Sequence, residues 1–295
     1  MMGIITKELS SKTGSGRMPK HQSSFRQDMG NEEPILSCCI ACLTDERVRY
    51  GLVGVAVLLG VWQVLSLFFH QIIIASPLAT LTALSSLLVE QRTWEYIGIT
   101  SLRLFTGLFL GSIIGLGLGL IAGMSRKIRL MLEPLRWAAM TVPAIVIAII
   151  AMLWFGMGSY QVIFVVTIIV VPITYVNAME GRHAIDERLI EMGRTFNLSQ
   201  RMFLSEIYLP GITASVIAGL TLTAGMGVRV VMLSEFMGAH DGIGYGLQRS
   251  WTFLDTPGLF AWILIAFALM GILEFCIMRP LKDHLLRWKK AGTCE

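Results

Sequence analysis

The sequence predicts an all-α membrane protein, a bundle of about six transmembrane helices, because its apolar residues are numerous and clustered in long runs. Apolar residues make up 54% of the 295 residues and charged residues only 15%, whereas a soluble domain has about 25% charged residues. The mean hydropathy is +0.67. This balance predicts a chain whose surface is adapted to lipid.

Four charge-free runs are each close to the roughly 20 residues that a helix needs to cross a bilayer. These runs are 50–69, 104–123, 137–154 and 160–179. Two more, 211–232 and 259–278, each contain one charge, Arg229 and Glu274. We therefore predict a transmembrane domain over residues 50–290.

The first 49 residues are polar and rich in Ser, Lys and Gly, a composition typical of a disordered tail. Cys38, Cys39 and Cys42 form a cluster there, but a trio without a second ligand group does not predict a metal site. No metal or cofactor is expected elsewhere in the chain.

The basic residues predict the orientation, because Lys and Arg near the ends of spans stay on the cytoplasmic side. Twenty of them lie in the tail or in the segments after the second, fourth and sixth spans. The segments on the other side contain only three, Arg92, Arg103 and Arg249. The chain is therefore predicted to lie in the inner membrane of a cell, with both termini in the cytoplasm. The small positive net charge reflects this bias and does not indicate nucleic-acid binding.

Local signals predict how the spans are arranged. Ser76-Pro77 is a helix start, which predicts a short helix between the first two spans. Five glycines recur every fourth residue from Gly107 to Gly123 and predict close packing against another helix. Pro143 and Pro172 break helices inside spans and indicate a bundle interior or a translocation path.

The stretch between the fourth and fifth spans, residues 186–210, is here called the interspan segment. Just before and within it, apolar residues recur at helical spacing from Ile185 to Phe196. Asn197 then suits a helix end with positive φ, and Ser199 can cap a second short helix containing Phe203 and Ile207. The pattern predicts a helix–turn–helix in the cytoplasm, with apolar stripes that must pack on this chain or on a partner.

The interspan segment resembles the EAA loop of ABC importer permeases. Glu191 takes the position of the glutamate, and Met192-Gly193 replace the two alanines. Asn197 replaces the glycine, and Ile207, Leu209 and Pro210 match in register. Met192 is the main departure from the pattern.

Further stretches between residues 70 and 285 resemble the nitrate, sulfonate, taurine and bicarbonate branch of these permeases. They include Ser101-Leu102-Arg103, 153–156, and Ser234-Glu235 through Gly242-Ile243-Gly244-Tyr245. The resemblance implies a substrate path formed by two permease chains, two cytoplasmic ATP-binding subunits and an external substrate-binding protein. Within the segment from Glu191 to Pro210 it implies coupling residues at Glu191, Gly193, Arg194, Asn197, Arg201, Phe203, Ile207, Leu209 and Pro210. A homodimer is favoured, and a heterodimer is the alternative.

Charges near the outer membrane surface are further candidates for the translocation path or its gate. Counting along the fifth span places Arg229 near the outer surface, where it could attract an anion or extend to the headgroups. Glu235 follows at the outer edge, and Gly242 and Gly244 belong to a Gly-rich stretch that forms either an outer gate or plain turns.

The sequence argues against other classes of membrane protein. No serine–histidine or metal-ligand set falls inside the spans, so no catalytic residues are predicted. A secondary transporter, the alternative, would show more intramembrane carboxylates than Glu274. No phosphate-binding Gly-rich loop appears, so ATP hydrolysis requires a separate chain. The expected substrate is a small anion, with an uncharged pyrimidine vitamin precursor as the alternative.

Overall fold

The computed structural model of the chain describes residues 46–70, 72–185, 187–199, 202 and 204–285. Its regular elements are all helical. They are α1 Glu46–Phe68, α2 Pro77–Val89, α3 Gln91–Met124, α4 Arg126–Thr141, α5 Ala144–Phe155, α6 Ser159–His183, α7 Glu187–Thr195, α8 Leu209–Gly238, α9 Ile243–Thr252, α10 Thr256–Ile272 and α11 Arg279–Leu285. Two π-helical turns, Leu204–Tyr208 and Leu273–Met278, lead into α8 and α11.

Five helical stretches in the described residues are long and apolar enough to cross a membrane. They are Arg49–Phe68, Gln91–Met124, Ser159–Arg182, Gly211–Gly238 and Thr256–Lys282. A sixth is obtained if α4 and α5 together make one span. The prediction of an all-α bundle with about six spans is therefore confirmed.

The prediction that residues 137–154 form the third span as one continuous helix is wrong. α4 and α5 meet at an angle of 97°, and the break lies at Val142 and Pro143. Val142 is extended, with φ −69° and ψ 125°, because the ring of a following proline disfavours helical backbone in the residue before it. Pro143 also has no N–H to continue the helical hydrogen bonds.

The chain divides into two units, residues 1–57 and 58–295. α1 begins at Glu46, four residues inside the predicted tail, and the rest of that tail lies outside the described residues, as do Cys38, Cys39 and Cys42. In the second unit, the predicted start of α2 is confirmed, because the Ala79 N–H donates to Ser76 Oγ at 3.2 Å and Pro77 is the first helical residue.

The core of the second unit lies where α6 packs against α3 and α8. Its fully buried side chains include Leu104 on α3, Val166 and Val170 on α6, and Val231 on α8. The predicted glycine stripe allows this approach. A Cβ added at Gly107 or Gly111 would lie 2.7 Å from Val166 or Val170, and one at Gly115 only 1.8 Å from Thr174 Oγ1. Close packing of the stripe against another helix is thus confirmed, and the partner is α6.

Candidate functional site

The first helix of the interspan segment ends as its sequence predicts. After α7, Asn197 has φ 50°, the left-handed conformation that closes a helix. The Phe196 N–H donates to the Met192 carbonyl at 3.0 Å, and the Leu198 N–H donates to the Gly193 carbonyl at 3.1 Å. These bonds satisfy carbonyls that the helix end would leave free.

The second half of the interspan segment runs into α8 with little interruption. The Met202 N–H donates to Ser199 Oγ at 3.3 Å, as expected of a capping serine. The π-helical turn Leu204–Tyr208 follows and continues directly as α8. Pro210 lies in the first turn of α8, where the missing N–H of proline costs no hydrogen bond.

The predicted apolar stripe is buried at Ile185, in the bend between α6 and α7, and exposed along α7 and just after it. Ile185, 7% exposed, packs with Tyr208 and Ile212, and half-buried Ile207 lies against the same cluster. Farther along the stripe, three side chains are exposed: Leu189 by 47%, Met192 by 49% and Phe196 by 73%. The segment is therefore anchored to the bundle and presents a separate apolar face.

The remaining predicted coupling residues take defined places on the segment. Glu191 is exposed, and its carbonyl accepts a bond from Thr195 Oγ1 at 2.9 Å. Gly193 is buried within α7, and Arg194 lies beside it in the same helix. Leu209 and Pro210 open α8. Arg201 and Phe203 lie outside the described residues.

A charge network, buried at Arg103 and Glu235 and partly exposed at Asp241, lies where the first half of α3 meets the end of α8. We define it as Arg103, Glu235 and Asp241, with the hydroxyls of Thr100 and Ser159. Arg103 is 2% exposed and Glu235 is fully buried. Arg103 Nη1 donates to Glu235 Oε1 at 2.9 Å, and its Nη2 donates to the Asp241 carboxylate.

Further hydrogen bonds satisfy the polar atoms of the Arg103 and Glu235 side chains. Arg103 donates to Ser159 Oγ from Nε at 3.0 Å and from Nη2 at 2.8 Å, and to the Asp241 carbonyl from Nη1 at 3.0 Å. Glu235 accepts from Thr100 Oγ1 at 2.9 Å and from the Gly244 N–H at 2.9 Å. A buried ion pair is tolerated only when its remaining donors and acceptors are matched in this way.

The Gly-rich stretch wraps the Glu235 carboxylate. Gly242 has φ 100°, and a Cβ there would lie 2.5 Å from Glu235 Oε1. The Ile243 N–H donates to Thr100 Oγ1 at 2.8 Å. The glycines therefore allow backbone to approach a buried carboxylate, a role that neither the gate nor the plain-turn interpretation anticipated.

The sequence does not indicate that Arg103 belongs to this network. Arg103 was predicted to lie outside the spans, whereas the structure places it within α3. A signal was present: Arg103 directly precedes the run 104–123, and Glu235 follows the run 211–232 by three residues. The first run begins and the second run ends on the same predicted side of the membrane, so both charges mark that side.

The other predicted path residues lie apart from the network. Arg229 is exposed on α8 and lines a mainly apolar cavity with α10 residues such as Phe267. Pro143 lies at the bend between α4 and α5. Pro172 is buried in α6 and lines a different cavity, against α3 and α4. The structure thus brings together Glu235, Gly242 and Gly244. Arg229, Pro143 and Pro172 lie elsewhere.

Long apolar helices joined by an anchored helical segment with an exposed apolar face define the class as a polytopic helical membrane protein. The chain belongs to the family of binding-protein-dependent transport system inner membrane components, whose sequence pattern matches residues 107–287. The predicted resemblance to ABC importer permeases is confirmed.

Similar proteins share most of their length with the chain. It is 27% identical over 251 residues to the putative aliphatic sulfonates transport permease protein SsuC of Bacillus subtilis (strain 168), covering 83% of this chain and 91% of the relative. It is 28% identical over 235 residues to the formylaminopyrimidine transport permease protein ThiX of Halalkalibacterium halodurans, covering 79% and 93%.

A solved structure shares the fold. The chain matches a chain from an inward-facing structure of the MetNI methionine ABC transporter with a TM-score of 0.51 and 19% identity. The match covers 66% of this chain and 96% of the other. At this identity the likeness concerns the fold alone.

Proposed function

We propose that this chain is the path-forming subunit of an ATP-driven importer, coupled to separate ATP-binding subunits through the interspan segment. The observation that carries the proposal is the exposed apolar face formed by Leu189 and Met192 on α7 and by Phe196 just after it. Ile185, just before α7, anchors the segment to the bundle. Exposed apolar patches of this kind mark protein interaction sites.

The anchor gives the segment a mechanical role. Ile185 packs on Tyr208 and Ile212, where the segment joins α8, and a Cβ added at Gly211 would lie 2.6 Å from Ile185 Cγ1. Tight contacts of this type transmit displacement, because packed cores do not deform continuously. A movement imposed on the exposed face would therefore reach α6 and α8.

The remaining partners follow from the family. They are two ATP-binding subunits, a second permease chain, with a homodimer favoured, and an external substrate-binding protein. We place the chain in the inner membrane of its cell. The basic residues indicate that both termini and the interspan segment lie in the cytoplasm. Family membership does not favour the secondary-transporter alternative.

A small organic anion of the sulfonate type is the proposed substrate. The name of the Bacillus subtilis relative supports it, and exposed Arg229 could attract an anion at one mouth of the path. The formylaminopyrimidine relative keeps an uncharged pyrimidine as the second candidate.

Co-purification tests the coupling proposal. The tagged chain is isolated in mild detergent with candidate ATP-binding subunits from its own cell, as wild type, Glu191→Ala and Phe196→Asp. Burying a phenylalanine contributes about 1.5–3 kcal/mol, so Phe196→Asp should reduce association at least about tenfold.

Phe253→Asp is the matched control, because Phe253 is 74% exposed against 73% for Phe196 but lies after α9, away from the interspan segment. It should retain the ATP-binding subunits. If wild type captures none, or if the two aspartate variants lose them equally, the interspan segment is not the coupling element.

A further inference from the structure

Four charged residues form a stripe along α4, because they follow one another at spacings of three and four residues and so share one side of the helix. They are Arg126, Arg129, Glu133 and Arg136. The helix begins just after α3 ends, and a Cβ added at Gly123 near that end would lie 3.2 Å from Arg182. Arg182 precedes the interspan segment, so the charged stripe starts at the same end of the bundle as that segment.

The other end of the charged stripe lies near the middle of the membrane. Arg136 lines the same cavity as Pro172 on α6. Pro172 is 10 residues from Arg182 and 13 from Ser159, the two ends of the span that α6 makes. At 1.5 Å per residue these separations are about 15 Å and about 20 Å. Arg136 therefore lies at mid-depth in a hydrocarbon layer about 30 Å thick.

The charged pair at this depth is accessible. Arg136 Nη2 donates to the Glu133 carboxylate, and the two side chains are 26% and 46% exposed. Glu133 does not line the cavity that Arg136 shares with α6, so its exposed part opens on another side of α4. Because Glu133 holds the guanidinium, Arg136 is not free to extend to the headgroups. Charges at mid-depth are costly in hydrocarbon and face water-filled cavities or the bundle interior.

The bend between α4 and α5 makes the same demand independently. Thr141, Val142 and Pro143 are all exposed, and Ala139, just before them, lines the mid-membrane cavity. The first amides of α5 have no partner within their own helix, and Pro143 gives them no side-chain cap. Irregular backbone at membrane depth is tolerated only where protein buries it or water reaches it. This chain does not bury the bend, so water or a second chain must contact it.

We infer that the charged stripe of α4 and the bend at 141–143 line a water-filled path that opens at the end of the bundle carrying the interspan segment. The ion pair and the free amides of α5 offer donors and acceptors to a polar solute at mid-depth. The pair has no net charge, so it solvates the solute without selecting its sign. The inference rests on the proposed import function and deepens it by assigning the residues that the solute passes.

Reaction of introduced cysteines tests the inference in inside-out vesicles of the cell's own membrane, which contain the full chain with its natural partners. Glu133→Cys and Thr141→Cys are each made in a chain whose five native cysteines are replaced. A charged, membrane-impermeant maleimide added to these vesicles reaches only the cytoplasmic side. Both cysteines should react, because a thiol reacts as its thiolate, which forms in water and is disfavoured in apolar surroundings.

Ile113→Cys on α3 is the matched control for depth and exposure. A Cβ added at Gly111 would lie 2.7 Å from Val170, so Ile113, two residues further along, lies at the depth of Pro172. Ile113 is 53% exposed against 46% for Glu133, but it belongs to an apolar helix face. Ile113→Cys should therefore react at least about tenfold more slowly than the two path positions.

The vesicles are matched for the amount of folded chain, measured by size-exclusion chromatography after extraction in mild detergent. If either Glu133→Cys or Thr141→Cys reacts no faster than Ile113→Cys, the inference is overturned. In that case a disulfide between two copies at either position would show that a second permease chain covers the face.

The two proposals fail in different ways. Failure of this inference leaves the ATP-binding subunits captured in the co-purification, while Glu133→Cys and Thr141→Cys stay as unreactive as the control. Failure of the coupling proposal leaves both cysteines reactive, while no ATP-binding subunit is captured.

Discussion

Arg103 and Glu235 lie 132 residues apart in the chain, and Arg103 Nη1 donates to Glu235 Oε1 at 2.9 Å with both side chains almost fully buried. Removing one member of such a pair leaves an uncompensated charge, at a cost of about 3–5 kcal/mol. Arg103→Met should therefore lower the midpoint of thermal unfolding strongly. Arg92→Met, at an exposed arginine on the same helix, should leave it nearly unchanged.

A double-mutant cycle tests whether the loss arises from the pair itself. Glu235→Gln should destabilise the wild type but cost much less when Arg103 is already methionine, a coupling within the range of about 0.5–3 kcal/mol. Purely additive effects on the unfolding free energy would show that the two side chains are not energetically coupled.

The glycine stripe gives a second prediction. A Cβ at Gly115 would lie 1.8 Å from Thr174 Oγ1, whereas one at Gly117 meets nothing within 4 Å. Overpacking costs about 1–3 kcal/mol, so Gly115→Ala should lower the unfolding midpoint and the folded yield. Gly117→Ala on the opposite side of the stripe is the control, and equal behaviour of the two variants would contradict the close α3–α6 contact.

Features specified by neighbouring residues were predictable from the sequence. The start of α2 at Ser76-Pro77, the left-handed backbone of Asn197 and the contact face of the glycine stripe all follow from local stereochemistry or from helical periodicity. The helix α7 and its turn at Asn197 were predicted for the same reason, whereas the second helix of the predicted helix–turn–helix is a π-helical turn that continues directly as α8.

Features that depend on helix direction or on distant pairs were not predictable. Hydropathy shows how long an apolar run is but not the direction of the helix that it forms. Residues 137–154 were therefore predicted as one span, although the chain turns by 97° at Pro143. Likewise, sequence position gives the depth of Arg103 and Glu235 but not which helices are neighbours. The cavity beside Pro172 could not be predicted either, because it depends on how α3, α4 and α6 pack together.

The conformation of Asn197 gives a third prediction. Its φ of 50° is unstrained for glycine but costs a β-branched residue about 1–2 kcal/mol. Asn197→Gly should therefore retain association with the ATP-binding subunits, and Asn197→Val should reduce it, measured by co-purification. Wild-type association of Asn197→Val would mean that the turn after α7 does not position the exposed apolar face.

The predicted orientation can be tested by labelling two equally exposed positions. Phe196 and Phe253 are 73% and 74% exposed, and the basic residues place the first in the cytoplasm and the second outside. Single cysteines are introduced at each position after the five native cysteines are replaced. A membrane-impermeant maleimide added to intact cells should label Phe253→Cys, and it should label Phe196→Cys only after the membrane is opened. Labelling of Phe196→Cys in intact cells would place the interspan segment outside, where no ATP-binding subunit could reach it, and would overturn the coupling proposal together with the orientation.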